Sequence, residues 1–240
     1  MPNLCCLVTT PAGRRACKEL ESADFTLWEA PSPAVSGLLL DVPTPQGLEI
    51  PWERLPALCR IFGGNLAGVP DRFRAFDLLK DPIYTAMNAD ITARCALRLA
   101  AGQLEETLAG LPVLVIGWGR IGKCLAKHLT DLGAHVRVFA RNPADRGILA
   151  ALGYEALDRA EMLNTLPRYQ LVFNTAPEPV LDEADTQNCE RCALLDLASI
   201  RGIADPRALW ARGLPGKMAP ASSGKLIAQT VRRMWKEETA

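Results

Sequence analysis

Three glycines at positions 117, 119 and 122 separate an apolar run from a helical pattern. The apolar run, Leu111–Ile116, is typical of a buried parallel strand, and Lys123–Leu132 is typical of an amphipathic helix. In a Gly-x-Gly-x-x-Gly turn the first glycine permits the tight turn, the second lets a pyrophosphate approach the backbone, and the third packs the helix against the strand. Amide N–H groups at the start of the helix then face the phosphate charge. The residues predicted to hold a dinucleotide here are Gly117, Trp118, Gly119, Arg120, Ile121 and Gly122.

The end of the next predicted strand, Ala134–Ala140, bears on which dinucleotide binds. Sites that prefer NAD usually place a carboxylate there for the ribose hydroxyls, whereas this chain continues with Arg141 and Asn142. A small residue followed by arginine leaves room for a 2′-phosphate, with Arg141 and Arg146 as its cations and Asn142 as a further cofactor contact. We therefore predict NADP as the cofactor. NAD stays open, because Arg141 could be an ordinary solvated residue at a strand end and NAD sites without the acid also occur.

Ligands of a doubly wound sheet bind at the carboxyl ends of its strands, so the residues that follow each predicted strand are candidates for chemistry. Small or hydroxyl-bearing residues follow the predicted strands Leu171–Asn174 and Ala193–Leu197, and others precede or open the last predicted helix, Ser222–Trp235. We predict catalytic roles for Asn174, Ser199 and Lys217, cofactor contacts for Thr175, Ala176 and Pro177, and substrate contacts for Lys217, Ser222 and Ser223. Ordinary turn chemistry is the competing explanation for each of these loops.

The chain has two histidines, and neither is placed for general acid–base catalysis, which most often uses that residue. His128 lies on the polar side of the helix after the glycine turn, and His135 lies at the amino end of the second strand. This placement disfavours a 2-hydroxyacid dehydrogenase, because oxidation of an alcohol calls for a histidine base late in the chain. Removal of a hydride that is driven partly by aromatisation of a ring needs less help.

Short apolar runs that alternate with helical patterns predict an α/β fold with parallel sheets. We expect a smaller N-terminal α/β domain of flavodoxin-like type over residues 1–87 and an interdomain helix over 88–109. A doubly wound, parallel-sheet Rossmann domain that binds NAD(P) is predicted over 110–216. The remaining residues, 217–240, are predicted as a C-terminal helix that packs back toward the N-terminal domain.

The balance of acidic and basic residues argues against two classes of binding partner, nucleic acids and anionic membranes. Lysine plus arginine and aspartate plus glutamate each total 27, so the net charge is zero. A neutral chain lacks the electrostatic attraction that nucleic acid or an anionic membrane requires. The N-terminus has no basic segment followed by a long apolar stretch, and no apolar run approaches the roughly 20 residues of a membrane span. We therefore expect a cytoplasmic protein.

Eight cysteines lie inside predicted strands and helices rather than in a framework of loops, which favours reduced thiols over disulfides. Cys189 and Cys192 form the one C-x-x-C of the sequence, which suggests either half of a zinc site or a redox pair. A structural zinc site needs two further ligands at suitable spacing, and the sequence contains no second pair. We expect no metal.

Several longer runs resemble the dehydrogenase-like subunit of dipicolinate synthase, the enzyme that makes the spore component dipicolinate. The resemblance covers residue 73 to the end and is most specific in Gly-Trp-Gly-Arg-Ile-Gly-Lys and Leu-Pro-Gly-Lys. The runs that carry it begin at Phe76, Asn88, Thr92, Val115, Ala140, Val172, Leu195 and Leu214. The chain departs from the family pattern after Thr92-Ala93, where the family continues Glu-Gly and this chain has Arg94-Cys95.

The resemblance implies oxidation of a dihydrodipicolinate-type ring, a small dicarboxylate, with NAD(P)+ as the acceptor. It also implies a second, flavoprotein-like subunit, and we expect a homo-oligomer. A different class stays open: a non-catalytic NADP(H)-binding subunit, regulatory or a partner of an enzyme. The Arg94 departure and the missing acid–base histidine both favour that alternative.

Overall fold

The structure, a computed structural model, describes residues 1–21 and 25–239. The chain folds into two compact units. The first comprises Met1–Ile91 together with the segment that begins at Pro215, and the second comprises Thr92–Leu214.

The first unit contains a five-stranded sheet in which every strand pairing is parallel. Its elements, with the helix that leads out of it, are β1 (Asn3–Leu7), α1 (Pro11–Glu21), β2 (Thr26–Trp28), β3 (Gly37–Leu40), β4 (Arg60–Gly63), β5 (Arg74–Asp77) and α2 (Pro82–Ala101). The strand order is β2-β1-β3-β4-β5. This is the flavodoxin-like order, which confirms the predicted type of this sheet.

The second unit contains a six-stranded parallel sheet. Its elements are β6 (Pro112–Ile116), α3 (Arg120–Asp131), β7 (His135–Phe139), α4 (Pro143–Ala151), β8 (Glu155–Leu157), α5 (Arg159–Thr165), β9 (Leu171–Asn174), α6 (Glu183–Thr186), β10 (Ala193–Asp196) and β11 (Leu209–Trp210). The order β8-β7-β6-β9-β10-β11 is the doubly wound Rossmann order, which confirms that prediction. The order reverses between β6 and β9, so the ligand crevice is expected at the carboxyl ends of these two strands.

Both sheets are held by apolar strands that are buried on two faces, as parallel sheets require. All four residues of β3 and all four of β9 are buried. In β1 the side chains alternate, so that Leu4 packs in one core cluster and Cys5 packs in the cluster on the opposite face.

The chain closes with α7 (Leu214–Met218) and α8 (Pro220–Thr239). Helix α8 packs on α1 in the first unit, and a β-carbon at Gly224 would lie 2.6 Å from the carbonyl oxygen of Ala12. Arg233 of α8 also pairs with the Asp81 carboxylate at 2.7 Å. The C-terminal helix is therefore an integral part of the first unit.

The helix predicted over residues 88–109 was wrong at both ends, because α2 runs from Pro82 to Ala101. The Asp81 side chain accepts a hydrogen bond from the backbone N–H of Tyr84 at 2.6 Å, and Pro82 follows it, which is a typical helix start. Gly102 follows directly after the last helical residue, and glycine is disfavoured in a continuing helix. The boundary between the two units falls within α2, after Ile91.

Among the described residues, no helix has both the length and the apolar character needed to cross a membrane.

Candidate functional site

The glycine turn joins β6 to α3, and two of its glycines are required by packing. Gly117 has a φ of +100° and its backbone N–H donates to the carbonyl oxygen of Phe139 at 2.9 Å. A β-carbon at Gly117 would lie 2.6 Å from the Thr175 hydroxyl, and one at Gly122 would collide with the Gly117 carbonyl oxygen. At Gly117 and Gly122 the backbone therefore runs too close to its neighbours in the turn and in the loop after β9 to accept a side chain.

Gly119 is different, because space is open beside it. No atom of the described residues lies within 4 Å of the position its β-carbon would take. Gly119 is the N-cap of α3, and no side chain caps that end of the helix in the described structure. A helix end of this kind offers N–H groups and a positive dipole to an anion. Arg120 is exposed and Ile121 is half-buried in the first turn of α3.

Trp118 covers one flank of the turn. Its ring packs edge-on against Tyr154 with the centroids 5.7 Å apart, and the Lys123 ammonium lies 5.7 Å from its centroid. The indole Nε1 is buried and has no hydrogen-bond partner among the described residues. Trp118 thus anchors the turn by packing.

The end of β7 carries the basic residues that the sequence pointed to. Arg141 is exposed and its Nη1 donates to the Glu178 carboxylate at 2.6 Å. Arg146 is half-buried, and its Nη1 donates to the carbonyl oxygens of Ala140 and Arg141, both at 2.9 Å. Asn142 is the N-cap of α4, since its Oδ1 accepts from the Ala144 N–H at 3.0 Å. Asn142 therefore has a structural role that the sequence prediction did not assign.

A cavity of about 240 Å³ opens beside Arg141 and Arg146. Arg159 and Glu178 complete its polar lining, and its apolar walls include Phe139 and Val180. Arg159 Nη1 donates to the Val180 carbonyl oxygen at 2.6 Å, and its Nη2 lies 3.6 Å from the Asp185 carboxylate. The sequence analysis does not predict Arg159 or Glu178, although both follow strand ends. No pattern predicts β8, and the predicted site residues after β9 end at Pro177.

The loops after β9 and β10 are tied together by buried polar groups. Asn174 is fully buried, and its Nδ2 donates to Asp196 Oδ1 at 2.9 Å while its Oδ1 accepts from the Ala176 N–H at 3.0 Å. The Thr175 hydroxyl donates to the Ile116 carbonyl oxygen at 2.9 Å. The Asn174 side chain therefore holds the loops after β9 and β10 together and is not exposed to a ligand. The predicted catalytic role of Asn174 is not retained. Pro177 and Ser199 are exposed and Ala176 is half-buried.

The predicted substrate contacts lie in the first unit. Lys217 is exposed in α7 and Ser222 is exposed in the first turn of α8. Ser223 is buried and its N–H donates to the Ala219 carbonyl oxygen at 3.0 Å. Helix α8 begins at Pro220 rather than at Ser222, so the amide of Ser223 belongs to the helix interior. The prediction that its N–H faces a substrate was therefore wrong.

Shifted pKa values in the second unit belong to groups away from the glycine turn. The Arg207 guanidinium, with the Thr186 hydroxyl, lowers the pKa of the buried Asp205 carboxyl to about 2. Burial raises the pKa of the Cys192 thiol to about 12 and also raises that of Cys189. These two thiols are poor nucleophiles at neutral pH. Within the described ranges, no cluster of three or more His, Cys, Asp or Glu side chains is arranged to hold a metal ion.

Comparison with known proteins agrees with this geometry. A family model described as "Putative NAD(P)-binding" matches residues 107–200. The dipicolinate synthase A subunit of Bacillus subtilis (strain 168) is 28% identical over 201 residues, which cover 77% of this chain and 67% of the relative. The chain is a homologue of that dipicolinate synthase subunit.

Two solved structures of the same dipicolinate synthase subunit share the fold. The structure from Bacillus subtilis has a TM-score of 0.81 at 22% identity, covering 98% of this chain and 96% of that chain. The structure from Bacillus halodurans has a TM-score of 0.82 at 20% identity, covering 97% of both chains. This chain therefore shares the fold of these two structures, and its second unit carries the NAD(P)-binding Rossmann fold that the family model describes.

Proposed function

We propose that the chain binds NADP(H) and oxidises a dihydrodipicolinate-type ring to dipicolinate. The observation that carries the proposal is the pairing of an uncapped glycine turn with an arginine-lined cavity at the end of β7. No carboxylate ends β7; the chain continues Ala140-Arg141-Asn142 instead. Arginine at this position suits a 2′-phosphate, whereas NAD sites usually place an acid there.

A dinucleotide fits the residues present. The open space at Gly119 admits a pyrophosphate beside the backbone, and the N–H groups of Arg120 and Ile121 begin the helix that faces it. Arg141 and Arg146 are the proposed contacts of the 2′-phosphate, and Thr175, Ala176 and Pro177 are the proposed border of the nicotinamide. When bound, NADP+ would supply the acceptor for a hydride.

Oxidation of the proposed substrate would remove one hydride and one proton from the ring and give the aromatic pyridine dicarboxylate. The bound dinucleotide would be the acceptor of the hydride, and the proton would be released. Exposed Lys217 is the proposed contact of a substrate carboxylate, and its Nζ donates to that anion. The Ser222 amide in the first turn of α8 offers a second donor at a helix N-terminus. Ser199, exposed after β10, is the proposed hydroxyl that orients the ring.

A second candidate is a non-catalytic NADP(H)-binding subunit that works through a partner. It is favoured by the burial of Asn174 and Asp196, because these polar side chains at the ends of β9 and β10 satisfy each other. Arg94, at the position where the resembling family has Glu, also favours it. The Bacillus subtilis relative is by name one subunit of a synthase, which supports a second subunit in either case.

The test is a turnover assay that follows NADPH absorbance. The full chain is mixed with NADP+ and dihydrodipicolinate, the proposed precursor of dipicolinate, with and without the partner subunit. Calorimetric titrations with NADPH and with NADH are run on the same preparation. Turnover supports the oxidoreductase. Binding without turnover, even with the partner, favours the non-catalytic subunit, and failure to bind either NADPH or NADH contradicts both candidates.

A further inference from the structure

The Arg141–Glu178 ion pair links the loop after β7 to the loop after β9. The Nη1 to Oε2 distance is 2.6 Å, and the side chains are 78% and 44% exposed, respectively. Exposed ion pairs contribute little to stability, because water screens them and ordering two long side chains costs entropy. A ligand that makes a better contact with either partner is therefore able to displace the other.

The two other arginines that line the cavity already have hydrogen-bond partners in the protein. Arg146 is tied to the carbonyl oxygens of Ala140 and Arg141, and Arg159 is tied to the Val180 carbonyl oxygen and the Asp185 carboxylate. Glu178 is the acidic residue in the lining of the 240 Å³ cavity, and its carboxylate is committed to Arg141. The Glu178 carboxylate is thus paired with the Arg141 guanidinium, which an incoming 2′-phosphate would need.

We infer that Glu178 is a specificity-determining residue that competes with the 2′-phosphate of NADP(H) for Arg141. When the nucleotide is NAD(H), the same carboxylate accepts a hydrogen bond from the ribose 2′-hydroxyl. The acid that NAD sites usually carry at the end of the second strand is here supplied from the loop after β9. This inference rests on the proposed cofactor site. With Arg141 and Glu178 at that site, the chain has affinity for both dinucleotides.

Removing the negative charge of Glu178 should change NADPH binding and NADH binding in opposite directions. Glu178→Gln keeps the size of the side chain but releases the Arg141 guanidinium for the phosphate and weakens acceptance from the hydroxyl. We expect tighter NADPH binding and weaker NADH binding, so that the ratio of the two dissociation constants shifts by about tenfold toward NADPH. Glu155→Gln is the matched control. Glu155 pairs with Arg137 at 2.7 Å in the same sheet and does not line the cavity.

The experiment is calorimetric titration of the full chain with NADPH and with NADH, for wild type, Glu178→Gln, Glu155→Gln, Arg141→Ala and the double variant Glu178→Gln/Arg141→Ala. Thermal unfolding checks that each variant is folded. We expect a shifted ratio in Glu178→Gln, an unchanged ratio in Glu155→Gln, and no gain in NADPH affinity from Glu178→Gln once Arg141 is absent.

An unchanged ratio in Glu178→Gln, with both nucleotides still bound, would overturn this inference and leave the proposed function intact. A gain in NADPH affinity that persists without Arg141 would also overturn it, because the carboxylate would then act through another group. Wild-type protein that binds neither dinucleotide would overturn the proposed function and this inference with it.

Discussion

The Asn174 side-chain amide donates to the Asp196 carboxylate at 2.9 Å, and both residues are fully buried at the ends of neighbouring strands. Asp196 accepts three more hydrogen bonds, from the backbone N–H groups of Ala198 at 3.1 Å, Gly202 at 2.6 Å and Ile203 at 2.9 Å. One carboxylate therefore organises the loops that follow β9 and β10. The carboxyl edge of the Rossmann sheet is built around this contact.

Asp196→Asn should destabilise the protein by about 3 kcal/mol, because the new amide N–H₂ must face groups that also donate. Urea unfolding of the variant measures the loss. Asp131→Asn is the control, since the Asp131 side chain is 53% exposed and pairs with Lys127 in the preceding turn of α3, and it should cost at most about 0.5 kcal/mol. Equal stability of Asp196→Asn and wild type would contradict the supporting role of Asp196.

Gly122→Ala should destabilise the protein by about 1–3 kcal/mol, because its β-carbon would collide with the rigid backbone at Gly117. Gly147→Ala is the matched comparison. Gly147 lies inside α4 with no described atom within 4 Å of its β-carbon position, so alanine should stabilise the helix by about 0.5–1 kcal/mol. Denaturant unfolding of both variants checks the pair, and a neutral Gly122→Ala would show that the turn does not need close packing.

Asp205→Asn should lower stability at neutral pH by about 1–3 kcal/mol, since Arg207 and Thr186 both donate to the buried carboxylate. The folded-state pKa of Asp205, about 2, is below its ordinary value. The stabilisation from the Asp205 carboxylate is therefore complete above the pKa that this carboxyl has in the unfolded chain. It is lost as the pH falls through the folded-state pKa of about 2. Stability measured from pH 7 down to pH 2 should show the gap between wild type and variant closing below about pH 4. A gap that does not change with pH would contradict this.

Much of the fold could be predicted from the sequence because most strands are continuous apolar runs bounded by turns. The predicted strand Leu171–Asn174 has the same bounds in the structure. The strands that were missed, β5, β8 and β11, contain two to four residues and have exposed or half-buried positions. These segments lack the continuous buried apolar run that marks β3 and β9, so no hydrophobic pattern signals them.

The site was predictable where a local motif marks it and unpredictable where only tertiary contacts do. The glycine turn follows from residues that lie within six positions of one another. Glu178 reaches Arg141 across 37 positions of sequence, and no local pattern signals such a contact. The burial of Asn174 depends in the same way on Asp196, 22 positions later.

The measurement that tests the central claim most directly is calorimetric titration of NADPH into the full chain and into Gly119→Val. Gly119 has φ −77° and ψ −172°, which valine adopts readily, and no described atom lies near its β-carbon position. The variant should therefore stay folded at a cost of about 1 kcal/mol in helix capping, with wild-type circular dichroism. Its side chain would fill the space assigned to the pyrophosphate. We expect wild type to bind NADPH and Gly119→Val to bind it about a hundredfold more weakly or worse. Equal NADPH affinity in the two proteins, or no binding by wild type, would contradict the proposed cofactor site.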